Sequence, residues 1–433
     1  MTDISDTADI QAPFFNPLQP GYIDDPAPHL REMREHDPVH YSLMEQWMLF
    51  GYDDVFRLLR DPGMSVSDDN IEIRNEQRED QFVAAFTEEF GVEPARSTNL
   101  LNVDPPDHTR LRRLVSKAFT PSAIEGLRPR VQEMVDSILD DMESRGHADV
   151  VGELAFPLPF DVISEMLGMP EADKDQIAEW SSALVKTLDP IISDDEVRAA
   201  ARGSKHMNDL IDDVIAWKRA NPADDLLTAL IDAEEDGDRL SSQELRDQVS
   251  LLFIAGHETT VNLIGTGIYE LMRNPEQLDL LRDNPSLDAN AVDELLRYVS
   301  PVQFSFRVTM RDVEFGGTPI QKGCGVLTGL ASANRDPAKW GPTADELDEK
   351  TLIEGEQRRE RARRIAAGRA EGKADDGRDN QRSLGELLRE PTALAAGRQT
   401  SQRGPAADAS ACGSRRPDAS AFGSQLDRLE AYP

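Results

Sequence analysis

Residues 251–260 read Leu-Leu-Phe-Ile-Ala-Gly-His-Glu-Thr-Thr, an apolar run that ends in a carboxylate beside two hydroxyls. Just upstream, Ser241-Ser-Gln-Glu-Leu supplies a helix start: a serine at 241 or 242 caps free backbone N–H groups, and acids fill the first turn. Apolar residues recur from there to Met272, so the stretch predicts a helix of about thirty residues, long for a globular protein. Around 251–255 it is apolar on most faces, which places it across the core. A carboxylate and two hydroxyls in the middle of such a helix are costly unless paired or used. Gly256 leaves a groove where a flat ligand can approach the backbone. Glu258 and Thr259 then have two readings. They relay protons to a bound species, or the threonine bonds back to the carbonyl four residues earlier and bends the helix. His257-Glu258 also opens the zincin pattern His-Glu-x-x-His, but position 261 is Val261, which excludes it.

The flanking chain reads as helices with a small β region. Pro26 to Arg34 opens an amphipathic helix. Val39 to Ser42 and Trp47 to Phe50 are strand-like, and Tyr52 begins the next helix. Helical spacing covers Pro121 to Glu143, with Ile124, Leu127, Val131, Met134, Val135 and Leu139 as its apolar stripe. It continues over 161–167, 177–188, 197–219, 226–234 and 290–299, where Pro301 follows. Phe304 to Leu330 switches to strand alternation, broken by Gly316-Gly317 and Gly323.

The chain has 433 residues, 39% of them hydrophobic, enough for a substantial core. Its net charge of -34 disfavours nucleic acid and anionic membranes as partners. No apolar run approaches the roughly 20 residues of a membrane span. The first thirteen residues are polar and acidic, unlike a signal or transit peptide. Two cysteines, Cys324 and Cys412, are too few for a disulfide framework or a Cys-rich zinc site. These features together place the protein in the cytoplasm.

Three further constellations carry chemistry. Glu294-Leu-Leu-Arg297 puts an acid and a base on one helix face; an isolated surface pair of this kind contributes about 0–1 kcal/mol. Asp104-Pro-Pro-Asp-His-Thr-Arg-Leu-Arg-Arg puts His108 and Arg112 one turn apart near a helix start, which suits an anionic ligand or an ordinary basic face. In Phe304-Ser-Phe-Arg-Val, alternation puts Phe304 and Phe306 on one face and Ser305 and Arg307 on the other. A buried Arg307 would need an anionic partner; on a solvent-facing edge it would not.

Taken in order over residues 13–348, these motifs, with Lys322-Gly323 leading to Ala333-Asn-Arg-Asp-Pro337, resemble the bacterial soluble cytochrome P-450 family. The resemblance implies a mainly α fold with a small β region, incomplete at the C-terminus, with haem b (iron protoporphyrin IX) beside the central helix. It implies a haem-thiolate monooxygenase that hydroxylates an apolar small molecule with dioxygen. Electrons would come from NAD(P)H through a reductase and a ferredoxin or similar carrier. By the same resemblance, His108, Arg112 and Arg307 look like partners of the haem propionates. Ala255 and Gly256 would face the haem, and Glu258 and Thr259 would deliver protons during dioxygen cleavage. Glu294 and Arg297 would brace the haem-binding core. Leu251, Leu252, Phe304, Ser305, Phe306 and Val308 would line the substrate pocket.

One element of the family pattern is missing: the loop Phe-Gly-x-Gly-x-His-x-Cys-x-Gly, whose thiolate ligates iron. Cys324 sits in Gln-Lys-Gly-Cys-Gly, a turn that matches another part of the pattern. Cys412 is followed by Gly413, but no Phe-Gly precedes it. The iron ligand is therefore unassigned. Composition changes at the same point. Residues 349–433 hold 16 Lys+Arg against 14 Asp+Glu, so this segment carries +2 and residues 1–348 carry -36. With one Phe and one Tyr it reads as a disordered Arg/Ala/Gly-rich tail behind a 1–348 domain. A reading-frame change near residue 349 is the simplest origin of such a tail. The alternative to an enzyme is an inactive remnant or a ligand-binding protein without cysteine-ligated haem.

Overall fold

The computed structural model describes residues 13–42, 45–72, 77–170, 174–188, 192–235 and 238–347. The chain divides into two compact units. The first is Met1–Leu280 with Leu295–Leu347; of the second, residues 281–294 are described. The tail from 348 onward, including Cys412, lies outside the described residues.

Helix α1 (Ala27–His36) precedes β1 (Val39–Tyr41) and β2 (Trp47–Leu49), and α2 (Tyr52–Arg60) precedes β3 (Met64–Ser65). Then come α3 (Gln77–Phe90), α4 (Asp107–Ala118), α5 (Pro121–Arg145), α6 (Pro157–Met166), α7 (Lys174–Val185), α8 (Asp194–Ala220) and α9 (Leu226–Asp232). The ribbon of β4 (Glu234–Glu235) and β5 (Asp238–Arg239) leads into α10 (Ser242–Arg273). After α11 (Pro275–Asp283) and α12 (Asp288–Val299) the chain forms β6 (Phe304–Thr309), β7 (Val313–Phe315), β8 (Thr318–Ile320), β9 (Gly325–Gly329) and α13 (Leu330–Ala333). The fold is mainly helical with a small β region, as the sequence predicts. Five strands form one sheet in the order β1-β2-β9-β6-β3. Only β2 and β9 run parallel within it. Gly325 is required there: a Cβ would lie 2.9 Å from the Phe306 ring.

The long helix begins as its sequence dictates. Ser241 accepts from the Glu244 N–H at 3.2 Å, and the Glu244 carboxylate accepts from the Ser241 N–H at 2.8 Å, a reciprocal cap. The helix then runs 32 residues. One stripe is buried, Leu245, Val249, Phe253, His257 and Val261, each four residues after the last. The expectation that this stretch is enclosed on most faces is corrected here. Ala255 and Gly256 are exposed, because neighbouring helices cover only the side that α6 and α8 reach.

Helix α5 forms where the spacing predicts it, with Ile124 and Leu139 each 46% exposed. One smaller correction follows from packing. Helix α9 stops at Asp232, and Glu234–Glu235 pairs instead with Asp238–Arg239. The main core joins α4, α6, α8, α9 and α10 through Val115, Phe160, Met207, Leu227 and Phe253. A second cluster holds Phe15, Tyr22, Met33, Met48 and Phe50 between the N-terminal segment and the sheet. Within the main unit a buried ion pair links α8 to α9: Lys218 Nζ donates to Asp225 Oδ2 at 2.5 Å, with side chains 2% and 10% exposed.

Candidate active site

The face of α10 opposite its buried stripe carries Ala255, Gly256, Thr259 and Thr260. Thr259 Oγ1 donates to the Ala255 carbonyl at 2.8 Å and Thr260 Oγ1 to the Gly256 carbonyl at 2.9 Å. Both threonines thus bond back within the helix, the geometry of the bending alternative. Back-bonding does not exhaust them: a hydroxyl that donates once keeps its oxygen lone pairs for a second partner. A methyl at 256 would lie 3.6 Å from Ile163 Cδ1, ordinary contact, so α6 does not demand glycine and the bare backbone stays open.

Thr259 and Thr260 form one wall of a cleft of about 530 Å³. Val55, Phe56 and Leu59 on α2, Leu263 on α10, and Leu296 and Val302 around the end of α12 supply large apolar side chains to the rest. Sequence reasoning missed these residues. One signal was available: α2 is apolar on two sides, with Val55 and Leu58 buried and Phe56 45% exposed, more than a single core-facing stripe requires.

His257 turns away from this cleft. It is 1% exposed and stacks edge-on against Phe156 and Phe160, at 4.7 and 5.8 Å between ring centres. Its Nε2 lies 3.2 Å from the Phe156 carbonyl, which can only accept, so Nε2 carries the proton. Burial lowers its pKa, partly offset by that hydrogen bond and by Glu258. The folded chain therefore resists a proton that the unfolded chain takes up near pH 6.5. Stability should fall as pH drops below that value, because the unfolded state then binds more protons. Urea midpoints measured from pH 7 to 5 should decline less steeply in His257→Leu than in wild type. Equal slopes would remove His257 from the account.

The three candidate propionate partners sit on two elements. His108 and Arg112 lie on α4, lining a second cleft of about 550 Å³ with Thr109, Arg113, Ser116 and Lys117. Arg307 lies on β6, half-buried. Its Nη1 donates to the Phe306 carbonyl at 2.6 Å and approaches Ser305 Oγ at 3.5 Å. The two elements are joined through β3. Met64 and Ser65 pair with Thr309 and Val308 of β6. Ser65 Oγ and the Val66 N–H donate to the Asp104 carboxylate, the latter at 2.9 Å, and the His108 N–H donates to the Asp104 carbonyl at 3.0 Å. Burial lowers the Arg307 pKa, and the charge of Asp104 only partly offsets this. A half-buried guanidinium held mainly by its own strand is poised for an anion.

A direct consequence is testable. Arg307→Gln should leave the urea midpoint of the unliganded protein unchanged within about 0.5 kcal/mol. The same change should weaken haemin binding roughly tenfold, the worth of one charge-assisted contact. A large stability loss with unchanged haemin affinity would make Arg307 a structural residue.

Glu294 and Arg297 share α12 and are buried to 2% and 6%. Arg297 donates to the carbonyls of Asn334 and Ala344 at 2.8 Å each and of Glu346 at 2.9 Å. The six expected pocket residues are not brought together at the cleft. Phe304 packs on Phe15, ring centres 5.5 Å apart, and Leu252 packs on the main core. Leu251, Ser305 and Phe306 are half-buried, with the Phe306 ring over Gly325. Val308 is 0% exposed, since its strand lies between β9 and β3, and it offers a ligand no surface.

The first cleft's mainly apolar walls suit an apolar ligand, and the basic residues, which line the second cleft or lie on β6, suit an anionic one. A metal ligand does not emerge. Among the described residues no group of three His, Cys, Asp or Glu side chains could hold a metal ion. Cys324 is 3% exposed in the turn before β9 and does not line the cleft. Among the described residues no helix is long and apolar enough to cross a membrane.

A family model described as cytochrome P450 matches residues 50–348. Cytochrome P450 107B1 of Saccharopolyspora erythraea is 44% identical over 298 residues, 69% of this chain and 71% of that protein. The vitamin D(3) 25-hydroxylase of Pseudonocardia autotrophica is 41% identical over 333 residues, 76% of this chain and 77% of that protein. The solved structure of cytochrome P450 PksS, from the bacillaene polyketide synthase of Bacillus subtilis 168, superposes with a TM-score of 0.67 at 34% identity. It covers 77% of this chain and 82% of that one.

Proposed function

Because the chain belongs to the cytochrome P450 family, a family of monooxygenases, we propose that it hydroxylates an apolar small molecule in the cytoplasm. Its electrons would come from NAD(P)H through a ferredoxin-type carrier. The observation that carries this reading is that Thr259 and Thr260 stand in the wall of a mainly apolar cavity. Haem, when bound, supplies the reductive activation of dioxygen. His108, Arg112 and Arg307 would hold its propionates, and Ala255 and Gly256 would leave room for its ring. Thr259, already donating to Ala255, accepts a proton at Oγ1 and passes it on; Glu258, its neighbour in sequence, replenishes it. The apolar walls exclude bulk water and favour an apolar substrate.

The relatives support the substrate class only broadly, since one is a vitamin D(3) hydroxylase and another works with a polyketide synthase. The exposed cations of α4 suit an acidic carrier on an otherwise acidic protein, and binding there should weaken with salt.

Thr259→Ala tests the relay. In the haem-loaded enzyme, product formed per NAD(P)H consumed should fall roughly tenfold or more while NAD(P)H consumption continues. Unchanged coupling would sink the assignment. A second reading, a ligand-binding remnant, is favoured by the burial of Cys324 away from the cleft. Under the monooxygenase reading the thiolate ligand is unassigned: Cys324 does not line the cleft, and Cys412 lies outside the described residues.

A further inference from the structure

The first two turns of α10 hold the irregular segment before α4 by side chains alone. Asp247 Oδ2 accepts from both the N–H and the hydroxyl of Thr98, at 2.7 and 2.9 Å. The Gln248 amide, 1% exposed, pairs with that segment as a strand would. Its Oε1 accepts from the Leu100 N–H at 3.2 Å and its Nε2 donates to the Thr98 carbonyl at 3.1 Å. Gln243 Nε2 adds a bond to the Arg96 carbonyl at 2.7 Å. Leu100 packs on the same core cluster as Leu252 and Phe253. A few residues later the chain enters α4, whose Arg110 donates to Glu244, again in the first turn of α10.

A buried side-chain amide that satisfies both groups of a loop backbone fixes that loop more tightly than apolar contact does. The same helix carries Glu258 and Thr259 about three turns further on. We propose that Asp247 and Gln248 are positioning residues: they fix segment 96–101 and the entry to α4. They thereby set where His108 and Arg112 stand relative to the Glu258–Thr259 face of α10. This rests on the reading of His108 and Arg112 as haem-carboxylate partners.

The full-length chain tests it with two readouts, amide hydrogen exchange and haemin affinity from tryptophan quenching. Gln248→Leu should speed exchange at Leu100 roughly tenfold while the α8 and α9 amides keep their protection. It should also weaken haemin binding about fivefold, because the site is no longer preorganised. Gln248→Glu keeps the acceptor for Leu100 and should restore protection at that amide. Asp247→Ala should speed exchange at Thr98 instead. Unchanged exchange at Leu100 in Gln248→Leu overturns the proposal, as does a Glu variant that exchanges like the Leu variant. Faster exchange with unaltered haemin affinity reduces the clamp to a structural contact and also overturns it. A wild-type chain that binds no haemin overturns the cofactor reading and the proposal together, and it shows before any substitution is made.

Discussion

Arg297→Ala is expected to destabilise the protein by about 3–5 kcal/mol. The guanidinium is 6% exposed and satisfies three main-chain carbonyls, those of Asn334, Ala344 and Glu346. Arg335, which donates to the Tyr298 carbonyl, and Asn334, which donates to Ser300 Oγ, tie the end of α12 only to residues 334 and 335, whereas Arg297 reaches on to 344 and 346. Removing it leaves three carbonyls short of a donor in a site that water does not reach freely. Arg297→Lys should recover little, since one ammonium cannot span three acceptors that a planar fork reaches at once. Urea unfolding followed by circular dichroism measures the loss. A change under about 1 kcal/mol would show that residues 334–346 hold themselves in place.

Lys218→Met should cost a similar amount, about 3–5 kcal/mol, for a different reason. The methionine keeps the apolar stem but leaves Asp225 charged, 10% exposed and without its cation. Asp225 also caps α9 by accepting from the Thr228 N–H at 2.9 Å, so it cannot simply turn to solvent. Adding Asp225→Asn removes the stranded charge and keeps a capping acceptor, so the double variant should be more stable than Lys218→Met. Lys205→Met is the control. Its partner Asp209 is on the exposed side of α8, and its loss should stay within about 1 kcal/mol. Equal effects at 205 and 218 would mean that burial does not set the worth of these pairs.

The ends of α10 were legible because they are local: Ser241 and Glu244 form a cap within four residues, and no tertiary contact is needed to see it. The Glu258–Thr259 pair and the motifs holding His108, Arg112 and Arg307 were legible for the same reason. The cleft was not. Its walls come from 52–59, 259–263, 296–302 and 330–334, and only the closed fold brings these together. Val308 was misplaced because alternation separates the two faces of a strand but does not say how deeply either is covered. Helical spacing showed the apolar positions of α5 but not their cover, and Ile124 and Leu139 are each 46% exposed. The clamp of Asp247 and Gln248 on segment 96–101 spans about 150 residues of sequence and carries no motif.

The reduced carbon-monoxide difference spectrum of the purified, haem-supplied protein tests the central claim most directly. A thiolate-type carbonyl band is the result expected of a haem-thiolate monooxygenase, and Cys412→Ala then shows whether Cys412 supplies the thiolate. A protein that retains no haem and gives no carbonyl band would contradict it. The chain would then carry the family's proton relay and anion-binding residues without a reaction centre.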